Sequence, residues 1–181
     1  NIRIEVRNTG DRYAKLDDAA DELVRLGVDV IVTLGGTATL VASKATTSIP
    51  IVMVAGLDPM QAKLAQSLAH PGGNLTGIST ITRELYPKRL QLVKEVMPGI
   101  VRLGIVWSPD QGGSKLSLSL IQETAKALKL NLQVVEARST ADFNKAFETL
   151  VRARTRTFVL MTGSMFESNR QALIDAAAKH G

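Results

Sequence analysis

The sequence predicts an α/β protein of two lobes, residues 1–80 and 81–181, each a doubly wound parallel sheet. Two observations and one geometric rule lead there. Apolar, β-branched runs alternate with segments of helical periodicity along the chain. A parallel strand pair needs a helix-length return between its members, so such alternation argues for parallel sheets with helices on both faces. Finally, the alternation is interrupted by one cluster of turn formers, His70-Pro71-Gly72-Gly73-Asn74, and then restarts. No short-period repeat or low-complexity segment is visible.

In chain order, residues 2–7 (IRIEVR) alternate apolar and charged side chains, the period of a half-buried strand near a sheet edge. Over 13–26, Leu16, Ala19, Ala20, Leu23 and Val24 recur three and four apart, and Gly27 stands where a helix stops. DVIVTL at 29–34 reads as a strand covered on both faces, and Gly35-Gly36 leads into a short helix over 37–44. PIVMVA at 50–55 is a second buried strand. Asp58-Pro59 then opens a helix running to residue 68, with a capping acceptor and a proline in its first turn. Residues 75–82 are short, polar and β-tending, and form the passage between lobes. An amphipathic helix over 83–96 follows, closed by Pro98-Gly99. Strands over 101–107, 131–136 and 157–161 then alternate with helices over 113–130, 140–152 and 166–179.

Lys and Arg number 22 against 17 Asp and Glu, for a net charge of +5. The cations are spread along helical segments (Lys88, Arg89 and Lys94; Lys126 and Lys129) without the interleaved aromatics that stack on bases. A solvated basic surface is therefore expected, and nucleic-acid binding is not. The chain has no cysteine, which excludes disulfides, thiol nucleophiles and thiolate metal sites. No apolar run approaches the ~20 residues that span a bilayer. The chain opens on strand-like NIRIEVR, so an export signal would lie outside this sequence.

Catalytic inventory is poor. His70 precedes a proline in a turn and His180 is next to the last residue; neither is placed as a base. There is no HExxH, no GxSxG and no paired-carboxylate spacing, so no catalytic residue, metal ligand or cofactor is assigned. Arg152, Arg154 and Arg156 read as solvated surface before a strand.

Ligands of open parallel sheets lie beyond the C-terminal ends of the strands. That rule selects the loops 35–38, 56–58, 108–114 and 162–166. Gly35, Gly36, Thr37 and Ala38 form a glycine-rich strand-to-helix turn, which either packs tightly or receives a carboxylate or phosphate on free N–H groups. It lacks the spacing of a dinucleotide or P-loop motif. Asp58 caps a helix or pairs with a ligand ammonium, and the two roles are compatible. Trp107, the sole tryptophan, ends a strand, where its ring packs on a ligand or finishes a core. Ser108, Thr162, Gly163 and Ser164 add polar groups at the same rim, and Phe166 a second apolar surface.

The segments AADELVRLGVDVIVTLGGTAT (19–39), IPIVMVAGLDP (49–59), LAHPGGNLTGIS (68–79), KRLQLVKEVMPG (88–99), GIVWSP (104–109) and MFESNRQALIDAAAKHG (165–181) follow in an order that resembles the ABC-transporter substrate-binding family, which includes tryptophan- and other amino-acid-binding lipoproteins. PGGNLTG, between a DP helix and a long amphipathic helix, is its most specific piece. The resemblance covers nearly the whole chain. It departs at GGTAT, where relatives commonly show a GTPAA-like turn, and at MTGSMF.

The resemblance implies a periplasmic-binding-protein type I fold, with a small polar ligand, an amino acid or related carboxylate, in a cleft between lobes. Contacts carried over by position are Thr37, Ala38, Asp58, and Thr76, Gly77, Ser79 and Thr80 near the crossing. The second lobe would supply Trp107, Ser108, Thr162 and Ser164. The ligand's anion would meet the N–H groups after Gly35, and its body would rest on Trp107 or Phe166. The lobes would close about 77–82. A monomeric, extracytoplasmic or periplasmic protein, lipid-anchored and partnered by a membrane ABC permease, is implied. So are a strand and helix before Asn1 and further strands after Gly181, making both lobes incomplete here. The effector core of a transcription regulator of the same fold, and an α/β enzyme, stand as alternatives.

Overall fold

The computed structural model describes residues 1–10, 12–54, 57–80 and 83–180. The end of the strand expected over 50–55, the Gly56 end of the 56–58 loop, and positions 81 and 82 of the connection lie outside the described residues. The chain divides into two compact units, Asn1–Thr80 and Ile81–Gly181.

In the first unit, β1 (Ile31–Leu34), β2 (Ile51–Val54) and β3 (Leu75–Ile78) form a parallel sheet in the order β1-β2-β3. Ile31, Ile51 and Leu75 sit side by side in register. A 3-10 turn, Tyr13–Lys15, leads into α1 (Leu16–Arg25), whose Asp17 and Asp18 in the first turn and Arg25 in the last suit the helix dipole. Gly27 takes the left-handed conformation (φ 63°) that ends the helix. α2 (Gly36–Ala45) starts directly after β1. The core is Ile31, Ala42, Ile51, Met53, Leu57 and Leu75, with Leu23, Val24 and Leu40 packed against it from the helices.

The PGGNLTG motif has a structural use. The Asn74 side-chain amide donates to the carbonyls of Thr46 (3.2 Å) and Ile49 (2.8 Å), and Ile51 N–H donates to Asn74 O (2.7 Å). One residue thus fixes where β3 enters the sheet. Gly77, at φ 134°, lies so near β2 that a Cβ there would be 2.1 Å from Met53 O.

Three expectations are corrected in this unit. Residues 2–7 form no strand. Only Glu5 and Arg7 are partly covered: Arg7 pairs with Glu22 of α1 at 2.7 Å and also with Glu5, while Arg3 is exposed and Ile2, Ile4 and Val6 are 92%, 78% and 71% exposed. Period-two alternation specifies a face, but a strand also needs a neighbour for its backbone groups. Nor is β1 covered on both faces: Ile31 and Thr33 are buried, whereas Val32 and Leu34 are exposed. Continuous apolarity did not report two-sided burial here. Thirdly, residues 58–68 form successive turns instead of a helix. One helical turn forms, with Ala62 N–H on Asp58 O, but Lys63 enters the left-handed region (φ 58°) and Leu64 N–H folds back to Pro59 O at 2.8 Å, a helix-stop pattern.

In the second unit, β4 (Arg102–Trp107), β5 (Asn131–Glu136) and β6 (Phe158–Leu160) form a parallel sheet in the order β5-β4-β6. The helices are α3 (Leu85–Val96), α4 (Ser114–Ala127), α5 (Phe143–Arg152), α6 (Ser164–Ser168) and α7 (Arg170–His180). The single helix expected over 166–179 is therefore two, parted at Asn169, whose side-chain amide turns back onto Met165 O at 2.8 Å. β4 is central and buried from Leu103 to Trp107. Tyr86 and Leu90 of α3 and Leu118, Ile121 and Ala125 of α4 share a core with Leu103, Ile105 and Trp107. Leu150 of α5 packs over Gly104, where a Cβ would be only 2.9 Å from Leu150 Cδ2. Phe147 meets Phe158 edge-on at 5.1 Å.

Candidate functional site

The order β5-β4-β6 carries the positional argument. From β4 the chain crosses to β5 on one side, then returns over β4 to β6 on the other, so a topological switch point lies between β4 and β6. At such a point the loops leaving adjacent strands diverge and open a crevice outside their C-terminal ends. Two of the loops marked in the sequence leave from there, one after Trp107 and one after Met161.

The first loop is stepped by short turns: Gln111 N–H donates to Ser108 O (3.4 Å) and Ser114 N–H to Gln111 O (3.1 Å). Gly113, at φ 79°, then precedes α4 without a side-chain cap. Arg138 braces this loop from the end of β5, bonding Asp110 at 2.6 Å and approaching Glu136 at 3.5 Å. The second loop lies beside the first, since a Cβ on Gly163 would stand 3.4 Å from Gln111 Oε1. It is tied to α3: Thr162 N–H donates to the Tyr86 hydroxyl (2.8 Å), which donates in turn to Thr162 Oγ1 (3.3 Å).

Polar groups at this rim divide into two kinds. Thr162 is partnered by Tyr86, and Ser164 also has a partner. By contrast Trp107 Nε1, Ser108 Oγ and Ser114 Oγ are buried with no hydrogen-bond partner among the described residues. Buried polar atoms are nearly always bonded, so three orphans within eight residues require a reason. Phe166 is buried and stacked on Phe143, with ring centroids 6.0 Å apart, and its Cδ2 would stand 3.4 Å from the same Cβ on Gly163.

In the first unit, Gly35 adopts φ 89° and caps α2, and its carbonyl accepts from both Thr39 N–H (3.2 Å) and Thr39 Oγ1 (3.0 Å). Thr33 and Thr39 hydroxyls meet at 2.9 Å beneath the turn. Gly36 is buried, Thr37 has a partner, and Ala38 is half-buried. Asp58 Oδ1 accepts from Met60 N–H (2.9 Å) and Gln61 N–H (3.2 Å), bonds that close a local turn with no helix behind it. Thr76 is exposed on β3, while Ser79 and Thr80 follow it half-buried. The sequence reading missed Tyr86 and Ser114. Tyr86 is hidden inside an amphipathic pattern, and nothing in residue type separates Ser114 from Ser117 or Ser119.

Three ionisable groups are displaced. Asp142 closes a capping box with Ser139, and N–H donation from Arg138, with further bonds from Ser139, holds its carboxyl below the ordinary aspartate range against the opposing effect of burial. The hydrogen-bonded pair Arg7 and Glu22 stabilise each other's charges, raising Arg7 and lowering Glu22. Among the described residues no cluster of three His, Cys, Asp or Glu could hold a metal ion, and no helix is long and apolar enough to cross a membrane.

Residues 1–180 match the sequence profile described as ABC transporter substrate binding protein. The chain belongs to that family. It is 31% identical over 153 residues to a tyrosine-binding protein of Clostridioides difficile (strain R20291), covering 83% of this chain and 43% of that protein. Among solved structures, an ABC domain from Streptococcus pneumoniae in complex with L-Trp superposes with a TM-score of 0.81 at 22% identity, over 99% of this chain and 61% of that one. A conserved domain protein from Vibrio cholerae gives a TM-score of 0.80 at 26% identity, over 93% of this chain and 56% of the other. The fold is accordingly the α/β, parallel-sheet fold of periplasmic-binding-protein type I substrate-binding proteins. The chain spans about half the length of the relatives it matches.

Proposed function

We propose that this chain is the ligand-binding part of an extracytoplasmic solute-binding protein that takes up an amino acid of the aromatic class and presents it to an ABC permease. The observation that carries the reading is the 31% identity to a tyrosine-binding protein over 83% of this chain. It is supported by the polar groups at the C-terminal ends of β4 and β6, where an open parallel sheet receives small molecules. Thr37, Ala38 and Asp58 serve the ligand from the first unit, with Thr76, Ser79 and Thr80 near the crossing, and Trp107, Ser108, Thr162 and Ser164 from the second. Closure around the ligand makes the form that a permease recognises. No bond is made or broken, and the protein returns its ligand unchanged.

Titration calorimetry of the chain against L-tyrosine, L-tryptophan, aliphatic and acidic amino acids and simple carboxylates tests this. Saturable binding of an aromatic amino acid, with ligand recovered intact by chromatography, is the expected result. Silence across the panel refutes the ligand class, and turnover of any ligand refutes the non-enzymatic role.

A further inference from the structure

We infer that the stretch from Trp107 to Ser114 is a carboxylate subsite, with Ser114, at the start of α4, as the residue that holds the anion. The inference deepens the proposed function, on which its amino-acid ligand rests, and moves the ligand's carboxylate away from the Gly35 turn. It rests on three unpartnered groups within residues 107–114, at the end of β4 and in the loop that follows. Trp107, Ser108 and Ser114 are 6%, 2% and 5% exposed, and their Nε1, Oγ and Oγ atoms have no partner among the described residues. The Gly35 turn shows nothing comparable, because its carbonyl and the hydroxyls of Thr33 and Thr39 are mutually bonded.

The chemistry of the orphans selects an anion. An indole N–H donates and never accepts, and each serine hydroxyl can donate. α4 is a 14-residue helix with no side-chain cap and no acid in its first turn, so the positive end of its dipole is uncompensated. Ser114 and Ser117 N–H already bond the Gln111 and Gly113 carbonyls, so the donor that the first turn of α4 offers is the Ser114 hydroxyl. An ammonium group could use the serine oxygens but not the indole N–H, and it meets no free carboxylate in this loop. The one acid in the loop, Asp110, is held at 2.6 Å by Arg138. The place is also the switch point of the sheet, where topology opens a crevice. The atoms are enclosed, so the protein opens around them to admit a ligand and closes to desolvate it, as enclosing binding proteins do.

The test uses Ser114→Ala and two probes, L-tyrosine by calorimetry and sodium acetate, against matched sodium chloride, by the emission of Trp107. Trp107 is the sole tryptophan, so its emission reports this site alone. In the parent, acetate should shift the emission because the indole N–H gains an acceptor. In Ser114→Ala that shift should be lost, and the Kd for L-tyrosine should rise about tenfold or more, the range of a hydrogen bond to a charged group. The ligand-free melting temperature should stay level or rise, because an unpartnered buried hydroxyl is removed. A parent without an acetate shift, or a variant that keeps it, overturns the subsite even where tyrosine binds. A parent that ignores amino acids yet shows an acetate shift lost in Ser114→Ala overturns the proposed function and leaves the subsite standing.

Discussion

Gly77 offers the sharpest test of how the first unit is built. Glycine stands opposite Met53 in the β2–β3 ladder, and an added Cβ would lie 2.1, 2.6 and 2.8 Å from Met53 O, N and C. Ordinary carbon–oxygen approach between strands is about 3.3–3.6 Å, so in Gly77→Ala β3 must withdraw by more than about 1 Å. Two costs add. Holding an L residue at φ 134° costs about 1–3 kcal/mol. Withdrawal also loosens a four-residue parallel pairing, at about 1 kcal/mol for each hydrogen bond lost. Together these come to about 3–5 kcal/mol, a large share of the ~5–15 kcal/mol that holds a domain folded. For a unit of this size the midpoint should fall by at least about 12 °C. Gly73→Ala is the matched control: its Cβ would meet nothing within 4 Å, and a change within about 0.5 kcal/mol is expected. Circular dichroism melts of the three proteins decide. Should Gly77→Ala melt within about 2 °C of the parent while losing tyrosine affinity, the glycine serves the ligand and the steric reasoning is wrong.

Four further outcomes are expected. Asn74→Asp should destabilise the protein more than Asn74→Ala in urea titration, because it sets a carboxylate against the Thr46 and Ile49 carbonyls that now accept from the amide. Tyr86→Phe deletes both bonds to Thr162; a loss of about 1–2 kcal/mol is expected, with faster amide exchange at Thr162 measured by NMR. Asp142 has a depressed folded-state pKa, so its contribution is complete above the unfolded aspartate value near 4 and is lost as pH falls through the lower folded value. Asp142→Asn should flatten the decline of stability below about pH 4. Lys129, at φ 55°, ends α4 with Leu130 N–H bonded to Ala125 O, so Lys129→Gly should raise the melting temperature, by up to about 1 kcal/mol of stability, and an unchanged or lowered melt would count against the strain.

Legibility in the sequence followed the range of the interaction that decides each element. β4, β5, α2 and α3 were readable to within a few residues because propensity, periodicity and stop signals agreed there. Residues 2–7 failed because a strand is a property of two segments, and the sequence shows only one of them. The turns over 58–68 failed on a local competition: Asp58 and Pro59 signal a helix start, yet Lys63 adopts a conformation that non-glycine residues seldom take, and no composition announces it. Gly77 illustrates the reverse case. The resemblance carried it over as a ligand contact; only the register against Met53 shows that the sheet itself requires a residue without a side chain there.

The same limit applies at the rim of the second unit, and it explains why the loops could be named while the roles within them could not. Trp107 was read as packing on a ligand or finishing a core, and Phe166 as a second apolar surface for a ligand; both are buried. They differ in what accompanies burial. Phe166 has no polar atom to satisfy, and its stack on Phe143 accounts for it completely. Trp107 brings in an N–H that no described group accepts, and two serine hydroxyls within the next seven residues are in the same condition. A purely structural rim would be expected to discard such groups, since an apolar residue of similar shape removes the desolvation cost at no loss. Burial without a partner therefore separates a site from a core more sharply than residue type or exposure does, and it places weight on Trp107, Ser108 and Ser114 rather than on the aromatic ring two loops away.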